Sequence, residues 1–433
     1  MILEFKVENF LSFREEQILS FEPASFKEYE EQYCVEVKEG VKVLKLGLLY
    51  GANASGKTNL LKSLDFLRNF VLKQKKDKTE STGTIPFQFD NSYISKPSKF
   101  YLSFYLNKIK YVYSVVIDEK KVLEENLIYY PGSQPAIFFE RWFDKEKKKS
   151  IIKFGGTIGL KLSDKKIIEG ITISNSSVFS AYSKANVEAS LFDDVYNWFK
   201  SNFMPMIKPT TNLFGWTSSR IEKDDLCKDF VLDVLRKADF NISAIDIDEE
   251  EIPIDDELEI EISEIDMPEH LKEEILQKKV LKAKDISFQH KTKLMEKNLP
   301  RNLESNGTIR YYGLGGALNK LLSANTFLCI DEIENSLHYD LVSHFIKTFL
   351  MNSNNSQLLF STHDINLLNE DFLRRDTVWF VEKNEYGASE LYSLVDFKLH
   401  KNLSPYNAYK IGKLGAKPEL GEILLKKDYG KKN

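Results

Sequence analysis

Cysteine is nearly missing from this chain: Cys34, Cys227 and Cys329 are the only three in 433 residues, far apart and without CxxC spacing. Such usage excludes a disulfide framework and a cysteine zinc site, and it fits a reducing compartment. Histidine is almost as scarce; His270, His290, His338, His344, His363 and His400 are dispersed with no metal-ligand spacing. Excess positive charge is lacking too. With 60 Lys and Arg against 65 Asp and Glu the net charge is −5, so a surface that grips nucleic acid all over is excluded and any such contact must be a local patch. No apolar run approaches the roughly 20 residues that span a bilayer. The opening MILEFKVENF alternates apolar and polar residues and reads as a strand, not a signal peptide. The expectation is a cytoplasmic protein without membrane contact. Sustained heptads are absent, which excludes a long coiled-coil arm, and there is no internal repeat.

What is present is the composition of a folded protein: 42% hydrophobic, 12% aromatic and 29% charged residues argue against disorder. The length implies two lobes or domains. Period-2 alternation places a hairpin in residues 1–23, turning at Asn9 to Phe13. Val43–Tyr50 is apolar enough for one buried strand, followed by a glycine-bearing loop and a helix over Thr58–Leu72. Lys99–Leu106, Lys110–Ile117, Val122–Tyr130 and Ala136–Trp142 read as an antiparallel meander. From Asn186 the period shifts towards helix, with Leu191, Val195, Trp198 and Phe199 as a buried stripe over Glu188–Phe203. Asp246–Glu269 is strongly acidic and reads as a solvated loop or exposed hairpin. Lys272–Lys284 is a basic helix candidate. Thr326–Ile330, Gln357–Ser361, Phe372–Val381 and Ser389–Leu394 read as strands, and His338–Leu350 as a helix.

Gly51-Ala52-Asn53-Ala54-Ser55-Gly56-Lys57-Thr58 matches GxxxxGK[ST] in full, with a strand before it and a helix after it. Glycines at 51 and 56 let backbone N–H groups wrap a phosphate chain. Lys57 is placed to reach the β- and γ-phosphates of ATP, Thr58 to ligate Mg²⁺, and Asn59 continues the set into a helix whose positive end faces the phosphates. The run Phe327–Ile330 ends in Asp331-Glu332, an apolar strand finishing in paired acids. There Asp331 is suited to hold the Mg²⁺ shell and Glu332 to polarise the attacking water. Phe360-Ser-Thr-His363-Asp364 closes the next apolar strand, one strand–helix–strand unit on, so His363 can reach the same sheet edge and sense a γ-phosphate. These are the elements of an ATPase whose turnover can be slow.

The order of these motifs resembles the ABC-type ATPase heads of the SMC and recombination-repair class. In place of LSGGQ stands Glu304-Ser305-Asn306-Gly307-Thr308, which resembles that class's divergent signature. The resemblance implies that Ser305 and Gly307 meet a γ-phosphate across a dimer. Asn335-Ser336-Leu337-His338 corresponds to the D-loop, with Ser336 and Leu337 facing the partner head. ENFLSFREEQILSF, GANASGKTNL, ESNGT and the tail RRDTVWFVEKNEYGASELYSLVDFK narrow the likeness to AAA-type ATPases of bacterial abortive-infection and phage-defence operons. These are the RloA- and AbiL-like ATPases, with the ATPase of the PARIS system a close relative. The likeness covers the first hundred or so residues and the last hundred and thirty.

It implies an α/β ABC-type P-loop head with an antiparallel β-meander lobe and an inserted helical subdomain. The expected divisions are residues 1–185 (Walker A and meander), 186–295 (insert) and 296–433 (signature, Walker B, histidine switch). The implied function is a sensor or switch subunit that forms a homo-oligomer through ATP-sandwiched heads, answers a phage trigger and controls a separate effector, a Toprim-type nuclease being the type case. The alternative is an SMC-like repair ATPase that clamps DNA directly. No nuclease constellation is legible in this chain. Arg374, Arg375, Lys398, Lys401, Lys410 and Lys413 form either a C-terminal basic patch or a solvated face.

Overall fold

The computed structural model describes residues 1–255, 280–398 and 403–417. In chain order the strands are β1 (Ile2–Glu8), β2 (Gln17–Ser20), β3 (Cys34–Lys38), β4 (Val41–Leu44), β5 (Leu46–Tyr50), β6 (Ser98–Leu106), β7 (Ile109–Ile117), β8 (Val122–Tyr130), β9 (Ala136–Asp144), β10 (Lys149–Phe154), β11 (Ile242–Pro253), β12 (Val280–Lys291), β13 (Glu296–Pro300), β14 (Phe327–Ile330), β15 (Gln357–Ser361), β16 (Val378–Lys383) and β17 (Ser389–Ser393). The chain divides into two compact units: residues 1–209, 321–334 and 346–433, and residues 210–320 with 335–345.

The first unit holds two larger sheets. The order β14-β15-β5-β16-β17 is parallel apart from its β17 edge. Every residue of β5 is buried, as expected for a strand covered on both faces. The helix Lys57–Leu72 follows it and buries Leu60, Leu61, Leu64, Leu67 and Val71, an i, i+3, i+4 stripe that fixes which side packs inward. The second sheet runs β10-β9-β8-β7-β6-β1-β2 and is antiparallel throughout. The expected meander therefore gains β10 and is continuous with the N-terminal hairpin.

The expected single strand Val43–Tyr50 is two strands in different sheets, broken at Lys45. That side chain is buried and donates to the carbonyls of Leu350 (3.1 Å) and Ser353 (2.8 Å), so the chain must turn there to deliver it. Likewise residues 372–377 are a turn containing a 3₁₀ segment, and the strand starts at Val378.

Residues 186–209 belong to the first unit, and the insert starts at Thr210. The helix Ser190–Asn197 and the following π turn present Phe192, Val195, Trp198 and Phe199, with Phe192 in the stripe where Leu191 was expected. Trp198 stacks on Phe104 of β6 at 4.0 Å, and Phe192 lies 4.8 Å from Phe138 of β9. Phe203 and Ile207 then bridge Phe327 and Ile330 in parallel, covering the free edge of β14. Behind the meander, the fully buried Arg141 and Glu125 pair at 3.0 Å. Tyr113 donates to Glu125, while Arg141 donates to the carbonyls of Ile173, Ser174 and Ser176. Each charge thus has an opposite partner, the condition for tolerating it in a core, although Arg141 Nε has no acceptor among the described residues.

The second unit contains the antiparallel set β11-β12-β13, the helices Leu213–Ile221 and Asp225–Lys237, and most of the helix Asn306–Ser323. Asp224 caps the second of these by accepting from Cys227 N. Gly313 and Gly316 let the last helix approach its neighbour closely. A Cβ on Gly313 would sit 2.5 Å from Leu213 Cβ, and one on Gly316 would collide with Thr217. Of the acidic run, residues 246–253 form most of β11 and residues 256–269 lie outside the described residues. The expected basic helix is strand over residues 280–284, and the rest of it lies outside the described residues. Among the described residues no helix is long and apolar enough to cross a membrane.

Candidate functional site

Three parallel strands of the first unit end together. β5 runs into Gly51, β14 into Asp331 and β15 into Ser361, with Ile330 opposite Phe360 and Ser361 opposite Leu49. The carboxyl ends of parallel strands are where an open α/β sheet gathers its ligand-binding groups. The loop Gly51–Gly56 wraps from β5 into the helix, and Gly56 takes φ +121°, where a Cβ would collide with Ser389 Oγ. Ala54 is left-handed at φ +62°.

The loop is braced from outside the motif. Asn59 Nδ2 donates to Ser12 Oγ (2.8 Å), Ser12 Oγ lies 2.8 Å from Ser389 Oγ, and Ser389 Oγ donates to Ser55 O (2.5 Å). Each hydroxyl has one proton, so the consistent assignment is a chain from Asn59 through Ser12 and Ser389 to the loop carbonyl. Asn59 is thereby engaged in holding the loop. Ser55 Oγ is buried without a hydrogen-bond partner, and Lys57 Nζ donates to the carbonyls of Gly51 (2.8 Å) and Ala52 (3.0 Å).

Thr58 Oγ1 lies 3.1 and 3.0 Å from the two carboxylate oxygens of Asp331. Ser361 Oγ donates to Asp331 Oδ1 at 2.6 Å and accepts Glu332 N–H at 2.8 Å. Glu332 itself is left-handed, φ +49°, a conformation that costs a non-glycine residue about 1 kcal/mol or more. His363 N–H donates to Glu334 Oε1 at 2.5 Å. Lost hydration lowers the Lys57 ammonium from its ordinary value, opposed by Asp331, Glu334 and Glu332. His363 is also held below its ordinary 6.5, first by lost hydration and then by the Lys57 ammonium. Lys57, Asp331, Glu332 and His363, read separately from the sequence, thus share one electrostatic neighbourhood.

The remaining predicted residues are in the second unit. Ser305 Oγ accepts from Thr308 N (3.0 Å) at the start of the helix Asn306–Ser323. A Cβ on Gly307 would stand 3.0 Å from Ser336 O, and Ser336 is left-handed at φ +63°. The segments expected to be the signature and the D-loop therefore meet within that unit. Of the C-terminal basic residues, Arg374 is buried and paired with Asp376 at 2.6 Å, so it cannot join a surface patch. Lys401 lies outside the described residues. Sequence reading missed Ser12, Glu334, Ser361 and Ser389 as members of the site. Ser361 and Glu334 adjoin recognised motifs, whereas nothing local marks Ser12 or Ser389.

Hard oxygen donors on Thr58 and Asp331 suit Mg²⁺, and the orphaned Ser55 hydroxyl inside a loop rich in amide donors suits a phosphate chain. A P-loop at the end of the central parallel strand, paired acids at the end of β14 and an adjoining antiparallel sheet define a P-loop nucleotide-binding head of mixed α/β class. The chain belongs to the AAA_21 family (AAA domain, putative AbiEii toxin, Type IV TA system), whose profile matches residues 48–369. Among curated proteins none matches the sequence. Three solved structures are similar at a distance. The SMC head domain from Thermotoga maritima is 13% identical, covering 90% of this chain and 98% of its own, with a TM-score of 0.41. The SmcHead bound to the C-winged helix domain of ScpA is 12% identical, covering 94% and 99%, with a TM-score of 0.43. The Smc head with an extended coiled coil bound to the C-terminal domain of ScpA, from Pyrococcus furiosus, is 12% identical, covering 96% and 99%, with a TM-score of 0.36. Likenesses this distant do not bear on activity.

Proposed function

We propose that the chain binds ATP with Mg²⁺ on the Gly51–Thr58 loop and hydrolyses it, and that the nucleotide state controls a separate effector in a bacterial antiviral system. The observation that carries the first part is the approach of Thr58 Oγ1 to both oxygens of Asp331, across 273 residues of chain. Those two residues would hold the metal, which supplies charge neutralisation for the phosphates. Lys57 binds the β- and γ-phosphates, replacing its bonds to Gly51 O and Ala52 O. Glu332 orients the attacking water and accepts its proton as the new P–O bond forms and the bond to the leaving ADP oxygen breaks. His363, kept neutral by its surroundings, offers a ring nitrogen towards the γ-phosphate.

The defence role is supported by the family's description, which names a toxin and a Type IV toxin–antitoxin system, and by the sequence likeness to abortive-infection ATPases. Hydrolysis can do work on an effector only if two nucleotide states differ in their contacts to it. A homo-oligomer through paired heads, with Ser305, Gly307, Ser336 and Leu337 facing a partner, is part of this reading. The test is titration calorimetry with ATP and Mg²⁺ on the wild type and Lys57→Ala, then co-purification from the native operon. Unchanged affinity in the variant overturns the site, and a partner that ignores nucleotide state overturns the switch.

A further inference from the structure

Arg310 lies on the helix Asn306–Ser323 and is only 8% exposed. Its Nε and Nη2 are buried without an acceptor. The other two deeply buried arginines are paired, Arg141 with Glu125 and Arg374 with Asp376; Arg310 has no carboxylate or carbonyl partner among the described residues. Burial alone lowers it from its ordinary value, with no charged neighbour contributing. A guanidinium keeps its charge at neutral pH, and an unpaired charge away from water is among the least favourable arrangements in a fold. No described residue of the second unit offsets it.

Its position indicates what does. Gly307 and Asn306 are at i−3 and i−4, on the same helix face. Helical side chains lean towards the N-terminus, so Arg310 belongs to the helix face that includes the first turn. Gly307 adds no side chain to that face. Thr308 N is taken by Ser305 Oγ and Ile309 N by Ser305 O. The Asn306 and Gly307 N–H groups are given no acceptor by the described residues, as is usual for a helix start. Two free amides, the helix dipole and an unpaired guanidinium together form a receptor for a compact anion with several acceptor oxygens.

We propose that Arg310 contacts the terminal phosphate of a nucleoside triphosphate and stabilises its charge during transfer, an arginine finger carried on the signature helix. This rests on the ATPase reading above. The step is ordinary hydrolysis. Water adds to the γ-phosphorus, the bond to the β–γ bridging oxygen breaks, the electron pair leaves with ADP, and Arg310 gives up no proton. The phosphate is the one held by the Gly51–Thr58 loop of a second copy.

The experiment uses full-length Arg310→Ala, Arg310→Met and Arg310→Lys, with ATP turnover, ATP affinity and thermal unfolding measured for each. Expected are ATP affinity within about twofold of wild type, a kcat at least ~100-fold lower in the alanine and methionine variants, and partial recovery in the lysine variant. The unfolding midpoint of Arg310→Met should hold or rise without nucleotide, because an unpaired buried charge has been removed; a residue with only a structural role would lower it. Mixing Arg310→Ala with Lys57→Ala then tests the second copy. A second copy predicts recovery of about a quarter of the wild-type rate, since random pairing puts one intact composite site in half of the dimers. No recovery overturns the proposal. Wild-type turnover in Arg310→Ala, or a lowered midpoint together with lost turnover in Arg310→Met, overturns the proposal and leaves the ATPase reading standing. A wild-type chain that neither binds nor hydrolyses ATP overturns both.

Discussion

Ser361→Ala tests whether the two acids after β14 are held as one preorganised unit. The Ser361 hydroxyl donates to Asp331 Oδ1 and accepts from Glu332 N–H, and the residue is fully buried. Removing it deletes a hydrogen bond to a carboxylate, about 1.5–3 kcal/mol, and leaves a part-buried N–H unsatisfied, about 1–2 kcal/mol. Part of that is recovered as Glu332 leaves its left-handed conformation, φ +49°, which releases about 1–2 kcal/mol. The net expectation is a loss of about 2–3 kcal/mol of stability in urea unfolding without nucleotide. The relaxation also moves the Glu332 carboxylate. If about 2 kcal/mol of its preorganisation is lost in the transition state, kcat falls by roughly 30-fold. ATP affinity, which depends on Lys57 and the loop amides, should change little. Phosphate-release kinetics and titration calorimetry separate the two effects. A variant with the wild-type urea midpoint and kcat would refute the idea that Ser361 holds both acids.

Glu332→Gln should bind ATP within about twofold of wild type but lose at least ~100-fold in kcat, since the amide keeps the shape and cannot accept the proton; single-turnover assays decide, and equal rates rule out Glu332 as the base. Gly56→Ala should cost about 2–4 kcal/mol, combining φ +121° with the Cβ collision at Ser389 Oγ, read as a lowered thermal midpoint together with weakened ATP binding. Lys45 gives a pH signature: burial lowers it to about 8 from 10.5, so between those values the unfolded chain holds the extra proton and stability rises with pH. Relative to Lys45→Met, the wild type should gain up to about 3 kcal/mol as pH climbs from 8 to 10.5 and nothing below 8; chemical denaturation at several pH values shows it, and a flat difference contradicts the burial.

The P-loop, the acid pair after β14 and the histidine after β15 could be read from the chain because each rests on contiguous residues. A glycine-rich turn between a buried strand and a helix is a local structure, and its anion-binding chemistry comes with it. The meander was legible for a similar reason, since period-2 alternation reports a half-buried sheet residue by residue. Lys45 was misread because propensity over Val43–Tyr50 cannot see the Leu350 and Ser353 carbonyls that draw it aside. The boundary at Asn186 followed a change of period. The fold instead places residues 186–209 by aromatic packing on Phe104 and Phe138 and by bridging to β14, contacts that no local pattern encodes.

The sequence by itself determined the chemistry available: a phosphate loop, a magnesium-type donor pair and a candidate base, each a property of side chains and short-range backbone geometry. Tertiary structure alone decided which groups act together. Thr58 meets Asp331 across 273 residues because parallel strands that are distant in the chain end on one sheet edge, and Ser389, at the start of the antiparallel β17, meets Ser12 in the turn between β1 and β2 across 377. It also decided which charges are left unsatisfied. Glu125 shields Arg141 and Asp376 shields Arg374, while Arg310 is buried with no partner among the described residues. That difference depends on what the fold packs around each guanidinium, and three arginines in a sequence look alike.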